Sequence, residues 1–441
     1  MDVSITGHSP VRGTVSVPAD KAICHRAALL CAISRGTTEI SPWASAEDCQ
    51  RTLEIIGRLG VPVSVTDRGL RIEGVGLDGL RAPTALLDCG ESGSTMRLAC
   101  GLLAGQPFTA TLAAAPSLCR RPMRRIADPL TQMGAIVQGS QSGAGELHPP
   151  LTIHGHRPLR GISYIMPVAS AQVKSALLIA GLYAEEPVTI TEPVATCDHT
   201  ERLLLRLGAV VSSSGQQVRV EPAKDGLVAP SALRVPGDLS SAAFLIVAAA
   251  VIPGSSLRII GVSLNPTRWH WLNVLSRMGA SIEREVDDDN WEPVGTLMIR
   301  HAPLHGISLS AAETALVIDE LPILMVAACA AEGLTRFQAL QELRVKETDR
   351  LHSMVTGLKA LGAQIDVEAG ADVTVAQSRL RGAVVDSFGD HRTAMSLAIA
   401  GLLADGPMRI SGVECVRKSF GEFFTLLGRI APGAVELLPA G

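Results

Sequence analysis

Cationic side chains stand near the starts of apolar stretches in this sequence: Lys21, Arg26, Arg97, Arg121, Lys174, Arg344, Lys346, Arg350, Arg392 and Lys418. Three of their contexts are unusual. Glu342-Leu343-Arg344-Val345-Lys346-Glu347-Thr348-Asp349-Arg350 alternates charges densely just before a helical stretch. Ser387-Phe388-Gly389-Asp390-His391-Arg392 is a turn that leads into a buried helix. Arg120-Arg121-Pro122-Met123-Arg124-Arg125 is a basic cluster ahead of a helix whose first turn Asp128-Pro129 is expected to mark. Arginine forks grip carboxylate or phosphate through paired hydrogen bonds, and lysine acts as a movable point charge. A set of this kind suits chemistry on a small, multiply charged anion.

The elements that must position these groups recur along the chain. Nearly all-apolar helices begin near His25, Met96, Val173, Ala242, Leu321 and Thr393, with corresponding positions about 70 to 80 residues apart. A helix apolar on every side must be buried on every side. Between them recurs a helix ending in Leu/Met-Gly and followed by a short alternating strand, at Gly60, Gly134, Gly208, Gly279 and Gly362, with a degenerate copy at Gly428. That glycine suits a left-handed helix C-cap. Six such units, in two groups of three, predict two similar domains, which is also what the length of 441 residues favours. The small polar residues ahead of the apolar helices are ordinary N-caps. Capping does not explain Lys21, Gln172, His391 and Arg392 at the same places. Helix N-termini aimed at one cleft offer free N–H groups and positive dipole ends, an anion site before any side chain is added.

Composition excludes several alternatives. A net charge of −4 with 19% charged residues gives no reason to expect a nucleic-acid partner. With 3% aromatics the core must be aliphatic. Nine cysteines, with no Cys-x-x-Cys pair, predict reduced thiols in a cytoplasm. No signal peptide is evident, and the longest apolar runs, about a dozen residues, are too short to span a membrane. No metal-ligand spacing is present. Gly74-Val75-Gly76-Leu77-Asp78-Gly79 fits G-x-G-x-x-G, but without a long helix after it a turn between strands is expected, not a dinucleotide site.

The strings ASAQVKSALLIAGLYAEE, DHTERLL, ELRVKETDR, GDHRTAMSLAIAGL and KSFGEFF resemble the signatures of the 5-enolpyruvylshikimate-3-phosphate (EPSP) synthase family, and RRPMRRIADPLTQMGA and PGDLSSAAF add to the match. The resemblance runs through essentially the whole chain. It implies an α/β fold of two domains, each of three βαβαββ-type units around buried parallel helices. Residues 1–19 with 237–441 would form a discontinuous domain on the phosphoenolpyruvate side, and residues 20–236 the acceptor side, with the active site in the cleft.

The resemblance implies transfer of the enolpyruvyl group of phosphoenolpyruvate to a hydroxyl of shikimate 3-phosphate, with release of phosphate and with no cofactor or metal. Carried over by motif, Lys21, Arg121, Lys346, Arg350, Arg392, Lys418 and Gly93 bind phosphoenolpyruvate. Arg26, Ser170, Gln172, Asp319 and Lys346 bind the acceptor, and Lys21, Asp319, Glu347 and His391 are catalytic. A monomer that closes around its anionic ligands is expected. Three loops depart from the family. Ala22 stands where a serine is usual, Glu91 where an asparagine is usual, and Cys197 where an arginine is frequent. A carboxylate about 4 Å from a bound anion repels it by about 4 kcal/mol at intermediate dielectric, so Glu91 must be paired, protonated or turned elsewhere. These departures leave two alternatives, a paralogue with another hydroxyl acceptor and a catalytically dead binding homologue. Cys119, two residues before Arg121, is out of register for the loop cysteine of the related UDP-sugar enolpyruvyl transferase.

Overall fold

Six helices with almost no polar surface decide the architecture of this computed structural model, which describes residues 1–143, 145–368 and 370–438. They are α1 (Lys21–Ala32), α2 (Gly93–Ala104), α3 (Ala171–Gly181), α4 (Leu239–Val251), α5 (Leu321–Ala330) and α6 (His391–Leu403). All 13 residues of α4 are buried. Each fully buried aliphatic side chain contributes about 1.5–3 kcal/mol, so an all-round apolar helix is stable only when covered all round. Five of the six start on a side-chain cap. Asp20, Ser92, Ser170, Asp238 and Asp390 accept from the N–H groups of Ile23, Thr95, Val173, Ser240 and Arg392 respectively. α5 starts instead with Pro322 in its first turn, where no N–H is required.

The chain forms two compact units, Met1–Pro18 with Pro236–Gly441, and Ala19–Val235; of these, residues 144, 369 and 439–441 lie outside the described residues. Each unit carries three four-stranded sheets, and all six sheets share one pattern. In one of them Ser163–Ile165 runs parallel to Val188–Thr191, which pairs antiparallel with Gln217–Val220, which in turn pairs with Val211–Ser214. Two sheets of the first unit take a strand from the N-terminal segment. Arg12–Val15 runs parallel to the start of Ser256–Ser263, and Asp2–Ile5 lies between Met408–Ser411 and Val435–Leu438. Those strands make residues 1–18 part of a unit otherwise built from the second half of the chain. The mixed α/β fold expected from the sequence is thus the fold observed.

An amphipathic helix accompanies each buried one: Glu47–Arg58, Arg124–Gln132, His199–Arg206, His270–Arg277, Arg350–Ala360 and Phe423–Ile430. Gly60, Gly134, Gly208, Gly279 and Gly362 follow the ends of the first five with φ between 86° and 108°, the left-handed turn expected of them. Gly428 is different. It lies inside Phe423–Ile430, and Gly433, at φ 78°, makes the turn in its place. A second correction concerns Asp128-Pro129, which sits in the interior of Arg124–Gln132. That helix starts four residues earlier than Asp128 because the Glu146 carboxylate, just ahead of the strand Leu147–His154, accepts the N–H groups of Met123 and Arg124. The strand Gly69–Val75 ends in a turn at Leu77-Asp78 with no helix behind it, as the G-x-G-x-x-G reading required. All nine cysteines are free thiols. Among the described residues no helix is long and apolar enough to cross a membrane.

Candidate active site

In the discontinuous unit the starts of α4, α5 and α6 meet. Ser240 Oγ donates to Glu320 Oε1 at 2.6 Å, and Arg392 Nη1 lies 3.3 Å from the same carboxylate and 2.6 Å from the Asp319 carbonyl oxygen. Arg268 also donates to Ser240. Three helices whose first residues touch side by side present their N–H ends together, so their dipoles reinforce. Sequence reasoning anticipated the helix mouths but not the Glu320 carboxylate that ties them together.

Arg350 is the hub of this unit. It is 1% exposed, at the start of a helix capped by Asp349. Its Nε donates to Asp390 at 2.8 Å, its Nη1 to Asp319 at 3.3 Å, and its Nη2 to Glu347. Lys346 Nζ adds a second cation 3.2 Å from Asp319. Burial pushes the Asp319 carboxyl toward its neutral form, but Lys346, Arg392 and Arg350 outweigh it and hold the group well below the usual carboxylate range. Asp390 behaves alike: burial opposes its charge, and Arg350 and then His391 pull its pKa down. Arg350 moves the other way, because Asp390, Glu347 and Asp319 overcome the burial of its charge. Glu347 and Asp319 therefore share one buried guanidinium. His391 is buried in the first turn of α6, directly after the Asp390 cap. Lys418 Nζ donates to the Gly389 carbonyl at 3.1 Å, which brings it to the same turn.

The turn itself is strained. Phe388 has φ 55°, a region that bulky residues avoid. Its N–H is taken by Asp386 and that of Gly389 by Ser387, whose own hydroxyl donates to the Gly412 carbonyl.

In the second unit α1, α2 and α3 likewise start together. Arg97 Nη1 donates to Gln172 Oε1 at 2.8 Å, and Gln172 Nε2 donates to Ser94 Oγ at 2.8 Å. Gly93 leaves room for two guanidinium groups: a Cβ there would lie 2.6 Å from Arg121 Nη1 and 2.8 Å from Arg97 Nη1. Lys21 pairs with Asp48 at 2.8 Å. Ser170 caps α3, its hydroxyl accepting the Val173 N–H at 3.4 Å.

Arg26 is 3% exposed. It donates through Nε to Thr200 Oγ1 at 2.7 Å, through Nη2 to Ser175 Oγ at 2.8 Å, and through Nη1 to the Ala22 carbonyl at 2.8 Å. All three acceptors are neutral. Lys174, which sequence reasoning grouped with the mouth cations, is 1% exposed and wholly occupied by Glu192 at 3.0 Å, Glu201 at 2.7 Å and the Thr196 carbonyl at 3.3 Å. Glu91 accepts from Ser117 Oγ at 2.9 Å.

Residues 5–427 match the family model described as EPSP synthase (3-phosphoshikimate 1-carboxyvinyltransferase). The chain belongs to the EPSP synthase family. A 3-phosphoshikimate 1-carboxyvinyltransferase of Geobacter sulfurreducens is 44% identical over 435 residues, which cover 97% of this chain and 99% of the relative. An EPSP synthase structure from Acinetobacter baumannii superposes with a TM-score of 0.86 at 38% identity, covering 99% of both chains. The enolpyruvyl transferase NikO from Streptomyces tendae shares the fold, with a TM-score of 0.79 at 16% identity, covering 100% of this chain and 99% of NikO. Each unit holds one helix-mouth cluster. The carboxylates Asp48, Glu320 and Asp390 and the guanidinium Arg97 complete them, and none carried a role in the motif-based assignment. The sequence signals for Asp390 were its place inside the Gly-Asp-His-Arg string and its position as an N-cap.

Proposed function

We propose that the chain transfers the enolpyruvyl group of phosphoenolpyruvate to a hydroxyl of shikimate 3-phosphate, releasing phosphate. The observation that carries this reading is the cluster of Asp319, Lys346, Glu347 and Arg350, two carboxyl groups and two cations within ion-pair reach beside three helix N-termini. Phosphoenolpyruvate carries about three negative charges. Lys346, Arg350, Arg392 and Lys418, with Lys21 and with Arg121 beside Gly93, are the cations assigned to its carboxylate and phosphate. In the second unit Arg26, Gln172 and Ser170 serve the acceptor. A buried guanidinium held by neutral oxygens leaves its charge to be matched by an anion.

The chemistry needs a proton at the methylene carbon while the acceptor hydroxyl oxygen bonds to C2. The reverse proton removal from the new methyl group then expels phosphate and restores the double bond. Glu347 suits both transfers. A substrate carboxylate that takes over Arg350 frees the Glu347 carboxyl to carry the proton. Asp319, held ionised by three cations, orients the hydroxyl and takes its proton as the oxygen bonds to C2, gaining basicity as substrate charge offsets Lys346; that proton leaves with the phosphate. Lys21 faces the departing phosphate, and His391 steadies the turn beside Lys418.

The named activity of the relatives, at 44% identity over nearly the full chain, supports shikimate 3-phosphate over another acceptor. The hydrogen bond from Ser117 to Glu91 gives that departure from the family a local partner. The test is exchange of solvent deuterium into the phosphoenolpyruvate methylene. The native chain incorporates deuterium in the presence of shikimate 3-phosphate, and Glu347→Gln lowers turnover about 10²- to 10⁴-fold while both ligands still bind. Unchanged exchange in Glu347→Gln contradicts the role given to Glu347.

A further inference from the structure

Two adjacent residues of α3 meet two adjacent residues of the helix His199–Arg206. Lys174 meets Glu201 at 2.7 Å, and Ser175 Oγ accepts from Thr200 Oγ1 at 2.7 Å. The first contact is ionic and buried: Lys174 is 1% exposed, Glu192 2% and Glu201 4%. The ammonium has three donors, and two carboxylates and the Thr196 carbonyl take them. Glu192 also accepts from the backbone N–H and the hydroxyl of Thr196, so the same cation fixes the loop leading into the helix. The second contact is where Arg26 ends. Its Nε and Nη2 donate to the hydroxyls of Thr200 and Ser175, residues that are 1% and 0% exposed.

We propose that Lys174 is a positioning residue for the acceptor. By clamping Glu201 and Glu192 it sets the register of α3 against the helix His199–Arg206. That register places the Thr200 and Ser175 hydroxyls where they hold the Arg26 guanidinium. Lys174 has no donor left for a ligand, so it acts through Arg26 and not by contact. The proposal rests on the reading of Arg26 as an acceptor-binding cation. It assigns a functional task to the Thr196–Thr200 segment that does not need the family's frequent arginine at position 197.

The experiment measures kcat and the KM of each substrate, with melting temperature, for Arg26→Ala, Thr200→Val, Thr200→Ser, Lys174→Arg and Lys174→Met. Thr200→Val keeps the side-chain shape and removes the oxygen that Arg26 Nε uses, so it carries the test if Lys174→Met fails to fold. We expect Thr200→Val and any folded Lys174→Met to raise the KM for shikimate 3-phosphate about tenfold. The KM for phosphoenolpyruvate stays within about twofold. Thr200→Ser and Lys174→Arg recover most of the loss. In an Arg26→Ala background Thr200→Val adds nothing further. An unchanged acceptor KM in Thr200→Val, or a full additional loss on top of Arg26→Ala, overturns the positioning role. An unchanged acceptor KM in Arg26→Ala instead overturns the reading of Arg26 beneath it.

Discussion

At the scale of single residues, positions that look alike in sequence do different work once packed. Arg350 and Arg26 are both buried guanidinium groups. Arg350 spends all three nitrogens on Asp390, Asp319 and Glu347, while Arg26 meets only neutral oxygens. Nothing in the local strings distinguishes them, because their partners lie 31 to 40 residues away for two of the three Arg350 contacts and 149 to 174 for the hydroxyls of Arg26. The cations were legible in the sequence, as was Glu347 three residues before Arg350, but the pairings with Asp319 and Asp390 were not. Gly93 shows the same limit: its motif assigned it to phosphoenolpyruvate binding, but the string did not reveal that a side chain there would meet two guanidinium groups. Its φ is ordinary, so Gly93→Ala strains no backbone, and the close atoms are the ends of flexible arginines. We expect Gly93→Ala to fold with a melting temperature within about 2 °C of the parent, since the clash can be relieved by side-chain movement. The displaced Arg121 and Arg97 raise the KM for phosphoenolpyruvate about 10- to 100-fold. Steady-state kinetics checks this, and an unchanged KM would sink it.

At the scale of elements, the repeats were legible because they are local. A helix apolar on all sides, a glycine turn and an alternating strand each occupy a short window, and five of six glycine turns fell where expected. How closely two buried helices approach cannot be read from such a window. Gly101, in the middle of α2, has no room for a methyl group: a Cβ would lie 2.2 Å from the Ala176 carbonyl oxygen on α3. Gly428, also within a helix, would place its Cβ 3.6 Å from Val435, an ordinary contact. Gly101→Ala should cost about 1–3 kcal/mol through forced separation of the two helices. Gly428→Ala should stabilise by about 0.5–1 kcal/mol through helix propensity. Urea midpoints separate the two, and effects of the same sign would contradict this packing.

The caps have a pH signature as well. Asp390 starts α6 and is held ionised by Arg350 and His391 against the cost of burial, so its folded pKa lies below the ordinary 3.8. Such a group contributes stability that is present above its ordinary pKa and is lost as pH falls through the folded value. Between about pH 5 and pH 2 the melting temperature of Asp390→Asn should therefore fall less steeply than that of the parent. Parallel curves would remove Asp390 from the account of acid stability.

At the scale of the whole molecule, two similar units share one plan, and the chain order disguises it. The discontinuous unit borrows Asp2–Ile5 and Arg12–Val15 from the N-terminal segment, so one of its sheets joins strands from opposite ends of the sequence and another joins the N-terminal segment to strands from mid-chain. Sequence patterning counted the helices correctly because they need no partner to be recognised. It could not place the borrowed strands, because a strand of four residues carries too little pattern to name its neighbours. Each unit gathers three helix N-termini with cations beside them, and the proposed function puts that arrangement in the service of carboxyvinyl transfer. The most direct test of this claim is phosphate release from phosphoenolpyruvate by the purified chain. The account predicts release that saturates with shikimate 3-phosphate and yields one enolpyruvyl product per phosphate. Release that ignores shikimate 3-phosphate, or no release although both ligands bind, would contradict it.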